Sequence, residues 1–218
     1  MKNVKLVIFD MDGLMLDSES VYLKNAIETL EEMGFEADRD LIIATMGLRW
    51  DITAKMYEER YPVSFEDFQK QLRIHQEAYL KKHPYEKKKG LIDLLDYLKE
   101  KGIAMAVATS THQPSVNKRL KDAQIFDYFD HIVSGDEITE GKPSPQIYRK
   151  VLEKTGIDKD NALVFEDSGY GLASAYNAGI RCIIVPDLCV IPEEELSKAF
   201  AVLPDLSQGI GLIETLNT

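Results

Sequence analysis

Five short apolar runs, separated by helix-patterned segments, constrain this chain more than any other feature. They are Val4-Lys5-Leu6-Val7-Ile8-Phe9, Ile103-Ala104-Met105-Ala106-Val107-Ala108, His131-Ile132-Val133-Ser134, Ala162-Leu163-Val164-Phe165 and Arg181-Cys182-Ile183-Ile184-Val185. Largely continuous apolar character is the pattern of strands buried on both faces. Helical spacing fills 91–101, 114–124, 145–155 and 171–177, with Gly102, Gly156 and Gly179 as stops. Strands alternating with helices imply a parallel, doubly wound α/β sheet. A weak strand at Ala201-Val202 and a last helix over 206–216 complete the tail.

Residues 17–86 break the alternation. Helical spacing runs over 18–34, where Ser18 can cap and Gly34 can stop it, then over 41–46 and 51–61, broken at Gly47. Ser64 caps a further segment whose Phe65, Phe68, Leu72, His75 and Tyr79 mark one face. No strand pattern occurs there. The expected organisation is an α/β core made of residues 1–16 and 87–218, with an all-helical domain, 17–86, inserted after the first strand.

Composition narrows the partners. The chain has 218 residues, 44% hydrophobic, and a formal net charge of −11. Such a chain is globular and suits one α/β domain with an insertion. Net negative charge argues against a nucleic acid polymer and against anionic membrane surfaces as partners. No apolar run approaches a membrane span. The N-terminus has no signal-peptide anatomy, and Cys182 and Cys189 make neither a disulfide framework nor a zinc pattern, so a cytoplasmic location is expected. A monomer is the expected state. Cys182, in an apolar run, is expected to be a buried thiol.

Ligands of open α/β sheets bind at the carboxyl ends of the strands, and there this chain gathers its polar residues. The first strand ends in Asp10-Met11-Asp12-Gly13, the second in Thr109-Ser110-Thr111, and the fourth in Glu166-Asp167-Ser168-Gly169. Gly141-Lys142-Pro143-Ser144-Pro145 follows the third, where two prolines stiffen the lead-in to a helix and suit a lysine that points inward. Two carboxylates at one strand end repel unless a cation lies between them or one keeps its proton. A hard cation such as Mg2+ takes oxygen ligands, and a carboxylate can act as a nucleophile. Each motif alone has a plain alternative: an acidic turn, a helix cap, a surface lysine. Gly169-Tyr170-Gly171, with Asp187 further on, faintly mimics a dinucleotide fingerprint, but Glu166-Asp167 would repel a pyrophosphate. Close helix–sheet packing is the expected purpose of Gly171, Ala173 and Ala175.

Taken together, these four motifs in this order resemble the signatures of the haloacid dehalogenase-like hydrolases, phosphatase and β-phosphoglucomutase-like branch. Asp17-Ser18-Glu19 is similar to the phosphatase members. The resemblance covers residues 1–16 and about 87–200 and implies a Rossmann-like core with a helical cap at 17–86. It implies Asp10 as nucleophile, Asp12 as general acid/base, and Thr109, the Ser110 N–H and Lys142 around the phosphoryl group. The implied Mg2+ is held by the Asp10 carboxylate, the Asp12 carbonyl and Asp167, with Glu166 also among the metal residues, in the layer behind the ligands.

The implied activity is hydrolysis of small phosphomonoesters, of sugar phosphate or nucleotide type. Sugar phosphomutase chemistry is the alternative, and a non-enzymatic phospho-accepting switch a second. Mutases of this branch carry an Arg shortly after a Gly; counting from Gly47, that slot holds Trp50, with Arg49 one residue earlier, and Tyr22 stands where they have a His. The cap is expected to close over the core, with Tyr22, Arg49, Trp50 and His75 as substrate-binding candidates, although cap core is the favoured place for Trp50.

Overall fold

The computed structural model describes residues 3–46, 48 and 50–218. Strand β1 (Leu6–Phe9) is followed by helices α1 (Ser18–Glu32), α2 (Arg39–Thr45), α3 (Trp50–Arg60) and α4 (Phe65–Leu80). Then come α5 (Leu91–Glu100), β2 (Ala104–Ala108), α6 (Gln113–Asp122), β3 (His131–Val133), α7 (Gln146–Thr155) and β4 (Ala162–Glu166). The chain continues through α8 (Gly169–Ala178), β5 (Arg181–Ile184), α9 (Glu193–Leu196), β6 (Ala201–Val202) and α10 (Gly209–Asn217). Chain contacts divide it into two compact units, Met1–Leu16 with Glu86–Thr218, and Asp17–Tyr85.

In the first unit a six-stranded sheet has the order β3-β2-β1-β4-β5-β6, every pair parallel. All four residues of β1 are fully buried, as its unbroken apolar sequence requires. Successive side chains alternate between the faces. Leu6, Ile8, Ala106 and Val164 pack in one cluster with Ile147, Tyr148 and Val151 of α7 and Leu172 and Ala175 of α8. Phe9 stacks on Phe165, ring centroids 5.6 Å apart, and Phe165 and Leu94 of α5 close on the start of α10. A Cβ on Gly209 would lie 3.0 Å from the Phe165 ring and 3.2 Å from Leu94, so only glycine fits without displacing one of them.

The strand order reverses direction at β1, flanked by β2 on one side and β4 on the other. That is a topological switch point, where the connections depart to opposite faces and leave a crevice beyond the strand ends. Asp10 and Asp12 follow β1, and Asp167 follows β4.

The second unit is helical throughout. Ser64 caps α4 by accepting the Asp67 amide at 3.1 Å, and Asp38 caps α2 by accepting the Leu41 amide at 3.0 Å. Tyr57 of α3 packs on Phe65 and Phe68 of α4, each at 4.9 Å between centroids. Ser18 is not a cap: it is the first residue of α1, and Asp17 before it makes no side-chain capping bond. No described helix is long and apolar enough to cross a membrane. Cys182 is buried, and burial pushes its thiol well above the ordinary value.

Candidate active site

Parallel pairing brings the ends of β1 and β4 side by side, and the Asp10 amide donates to the Phe165 carbonyl at 3.1 Å. Gly13 then turns the chain at φ +81°, a conformation that side chains disfavour. Asp10 is buried beside a lysine brought from the loop after β3. The Lys142 ammonium donates to Asp10 Oδ1, to Glu166 Oε1 at 2.5 Å and to the Ala108 carbonyl at 3.3 Å. The Lys142-Pro143 peptide is cis. Helix α8 fastens the same loop: Ser174 Oγ donates to the Ser144 carbonyl at 2.6 Å and Asn177 Nδ2 to the Pro143 carbonyl at 3.2 Å.

One ammonium between two buried carboxylates cannot satisfy both equally, and the surrounding donors decide the outcome. Glu166 Oε1 also accepts the Tyr148 hydroxyl at 2.7 Å. Its Oε2 accepts the Asp167 amide at 3.1 Å, the Ser168 amide at 3.3 Å and the Ser168 hydroxyl at 3.0 Å. Burial acts to raise the Glu166 pKa, but Lys142 and these donors outweigh it and hold the group below the usual value. Asp10 lacks such a shell. Burial pushes its pKa up to about 7, Lys142 opposes this, and Glu166 adds repulsion. Glu166 is thus the fixed anion and Asp10 the one that changes state. Both oxygens of Glu166 are taken up in holding Lys142 and the loop after β4.

Asp12 is held from another direction. Arg119 of α6 donates to its Oδ1, and the Thr111 hydroxyl donates to its Oδ2 at 2.8 Å. Thr109 is buried at the end of β2, where its amide donates to the Val133 carbonyl at 3.1 Å and its Oγ1 accepts the Thr111 amide at 3.1 Å. Gly135 allows the loop to sit there, because a Cβ on it would lie 2.3 Å from the Ser110 carbonyl oxygen. The core candidates Asp10, Lys142 and Glu166 therefore meet directly, with Asp167 joined to them through Glu166.

The candidates of the helical unit fare differently. His75 is engaged inside that unit: Nδ1 lies 3.2 Å from Thr29 Oγ1 and Nε2 3.1 Å from Glu32 Oε2. Both ring nitrogens thus join α4 to α1. The Tyr22 hydroxyl accepts from Gln69 Nε2 at 3.3 Å. Trp50 is 59% exposed and rests on Phe65 at 4.6 Å, which corrects its placement in the cap core. Arg49 lies outside the described residues, as does Gly47, from which its slot was counted.

Sequence reasoning missed Tyr148, Thr111, Arg119 and Ser168. Tyr148 left a signal: a tyrosine on the apolar face of a helix brings a hydroxyl that needs a buried partner. Arg119 left none, because the reach of a guanidinium from α6 to Asp12 is a tertiary fact. Gly171 of α8 is expected to serve helix–sheet packing, and it does so against the last residue of β4: a Cβ would fall 1.8 Å from Glu166 Cδ.

Comparison with known proteins accords with this geometry. The family model of the haloacid dehalogenase-like hydrolases matches residues 7–185. The chain belongs to that family. A phosphorylated carbohydrates phosphatase of Thermotoga maritima is 36% identical over 188 residues, covering 83% of this chain and 84% of the relative. A probable pseudouridine-5'-phosphatase of Drosophila melanogaster is 31% identical over 215 residues, covering 95% and 92%. Among solved structures, a Thermotoga maritima protein provisionally assigned as a β-phosphoglucomutase superposes with a TM-score of 0.81 at 29% identity, over 97% of this chain and 99% of that one. This haloacid dehalogenase-like chain thus stands among phosphatases and β-phosphoglucomutase-like proteins, with the α/β fold of that family.

Two outcomes follow from the buried triad. Lys142→Met leaves two buried carboxylates without their cation, and breaking such a pair costs about 3–5 kcal/mol; urea unfolding in chelator should show a loss of that order, and an unchanged midpoint would remove Lys142 as the neutralising group. Gly171→Ala should also destabilise. Helix propensity alone favours Ala by roughly 1 kcal/mol, but overpacking costs about 1–3 kcal/mol, and a contact this short with a fixed carboxylate puts steric cost first. A more stable Gly171→Ala protein would show that Glu166 can move.

Proposed function

We propose that this phosphoric monoester hydrolase cleaves small phosphomonoesters, of the sugar phosphate or nucleotide type, through an aspartyl-phosphate on Asp10 and with a divalent cation, Mg2+. The observation that carries this reading is the contrast between two buried carboxylates sharing one ammonium: Glu166 is saturated with donors, while Asp10 has one oxygen on Lys142 and lies at the strand edge. The relatives named as phosphatases support the reaction class.

In the first step Asp10 Oδ2 attacks phosphorus while Oδ1 stays on Lys142. The P–O bond to the ester oxygen breaks, and Asp12 delivers its proton to that oxygen. Arg119 and Thr111 orient Asp12. In the second step Asp12 takes a proton from water, whose oxygen attacks phosphorus. The acyl-phosphate P–O bond breaks, giving inorganic phosphate and the free Asp10 carboxylate. Lys142, the Thr109 hydroxyl and the Ser110 N–H stabilise the phosphoryl oxygens throughout. The donors fit a hard cation: Asp10 and Asp167 offer carboxylate oxygens from adjacent strand ends, and Asp12 offers its carbonyl. A cation held there would supply charge neutralisation for the phosphoryl group. Selection among esters falls to the helical unit, since the core supplies the groups that handle phosphate.

A panel of phosphate esters with Mg2+, assayed for free phosphate and for isomerised product, tests this directly. Continuous phosphate release is expected; isomerisation would favour the mutase, and a single stoichiometric phosphorylation without release would favour a phospho-accepting switch. Asp10→Asn should keep the fold and retain less than about 1% of activity, a barrier increase of about 3 kcal/mol or more. Acid quench of the wild type should trap phosphate on Asp10, and a phosphoenzyme elsewhere would overturn the assignment.

Cation binding should depend on pH with a defined sign. Below about 7 the metal-free Asp10 holds a proton, which a cation must displace. Affinity for Mg2+ should therefore fall as pH drops through about 7, with proton release on binding at pH 6. Calorimetry in two buffers of different ionisation enthalpy reads that proton, and its absence would separate Asp10 from the cation.

A further inference from the structure

Strand β5 pairs with β4 with Ile184 opposite Glu166, and one more bond, from the Val185 amide to the Glu166 carbonyl at 2.8 Å, carries the pairing past the strand. The residues that follow these strands emerge at one edge. Asp167 leaves β4 there, and Asp187 lies three residues beyond the end of β5. A carboxylate oxygen of Asp187 lies within 4.8 Å of one of Asp167. Like charges this close in a buried place need a cation.

Lys88 answers half of that need. Its ammonium donates to Asp187 Oδ1 at 2.5 Å, and the Asp187 side chain is only 8% exposed. The other oxygen, Oδ2, is buried and accepts no hydrogen bond from any described residue. A buried anionic oxygen without a donor carries its full desolvation penalty, more than a neutral group would. Neither the proposed reaction nor the packing of β5 uses it. A hard cation beside Asp167 would give that oxygen a counter-charge.

We propose that Asp187 is a further carboxylate of the divalent-cation site, presenting Oδ2 beside Asp167 while Lys88 fixes Oδ1. The inference rests on the cation reading above and adds to it a residue from a third strand end. Lys88 then has a definite purpose: it orients Asp187 and cancels part of its charge when the cation is absent, leaving the rest to the cation. Carboxylate number sets the affinity of oxygen-ligand sites for hard cations, so Asp187 acts on binding strength.

The test uses the full chain freed of metal and titrated with Mg2+ alone, without any phosphate ester. Asp187→Asn keeps an oxygen for Lys88 and removes the charge. Its Kd for Mg2+, by calorimetry, should rise about tenfold or more, and the upward shift of Tm with Mg2+ should shrink accordingly. In chelator its Tm should equal or exceed that of the wild type, because an unsatisfied anionic oxygen has gone. An unchanged Kd would overturn the proposal, and so would a lower Tm in chelator, which would make Asp187 a structural partner of Lys88. If the wild type itself binds no Mg2+, the cation reading fails and this one with it; wild-type binding with an unaltered Asp187→Asn variant defeats this inference alone.

Discussion

The ammonium of Lys142 is the point on which the edge of the sheet depends. Its bonds to Asp10 and Glu166 let two carboxylates be buried within reach of each other. Burying an ion pair is rarely a net gain in stability, because desolvation consumes the Coulombic attraction. The arrangement holds because the remaining lone pairs are filled as well, by Tyr148, by Ser168 and by two backbone amides. Those partners place demands on elements that never touch Asp10. Helix α8 must carry glycine at 171 to admit the Glu166 carboxyl, and its Ser174 and Asn177 must hold the loop that delivers Lys142.

Chemically similar groups become different through what surrounds them. Glu166, Asp10 and Asp12 are three carboxylates at two adjacent strand ends. Glu166 is encased and stays charged. Asp10 is desolvated and tied at one oxygen, so its pKa rises to about 7. Asp12 is less buried and is gripped at both oxygens by side chains that follow β2, Thr111 in the loop and Arg119 on α6. An attacking carboxylate needs a free oxygen and little hydration, whereas a proton carrier needs a fixed place near the leaving group. In the proposed reaction, environment would separate these roles where residue type cannot.

Much of the fold was legible because burial on both faces leaves an unmistakable run, as in Leu6–Phe9, and because glycine stops such as Gly156 and Gly179 take the left-handed conformation that ends a helix. The core candidates were legible because they sit at strand ends, where position follows from the fold. What could not be read depends on long side chains crossing between elements. Arg119 on α6 and Tyr148 on α7 reach partners more than a hundred residues and eighteen residues away in sequence, respectively. The same limit hid the setting of His75 and of Trp50. Helical spacing placed His75 on a face with Phe68 and Leu72, but Thr29 and Glu32 took its nitrogens; Trp50 has the size of a core residue, yet it begins its helix and lies open.

A chain with a formal charge of −11 that handles phosphate esters looks self-defeating. The conflict dissolves on the scale over which charges act. At physiological ionic strength the Debye length is about 8 Å, so exposed carboxylates far from the strand ends are largely screened. Groups at the site are screened much less, and there the balance differs: Lys142 and Arg119 are drawn in, and Glu166 is neutralised where it lies by Lys142. Carboxylates left over at that edge do not merely repel an anion. Under the proposed reaction they would create the demand for a divalent cation, and a bound cation would turn a repulsive edge into one that attracts phosphate. On this account the acidity of the strand ends is the means by which an acidic protein binds an anionic ester.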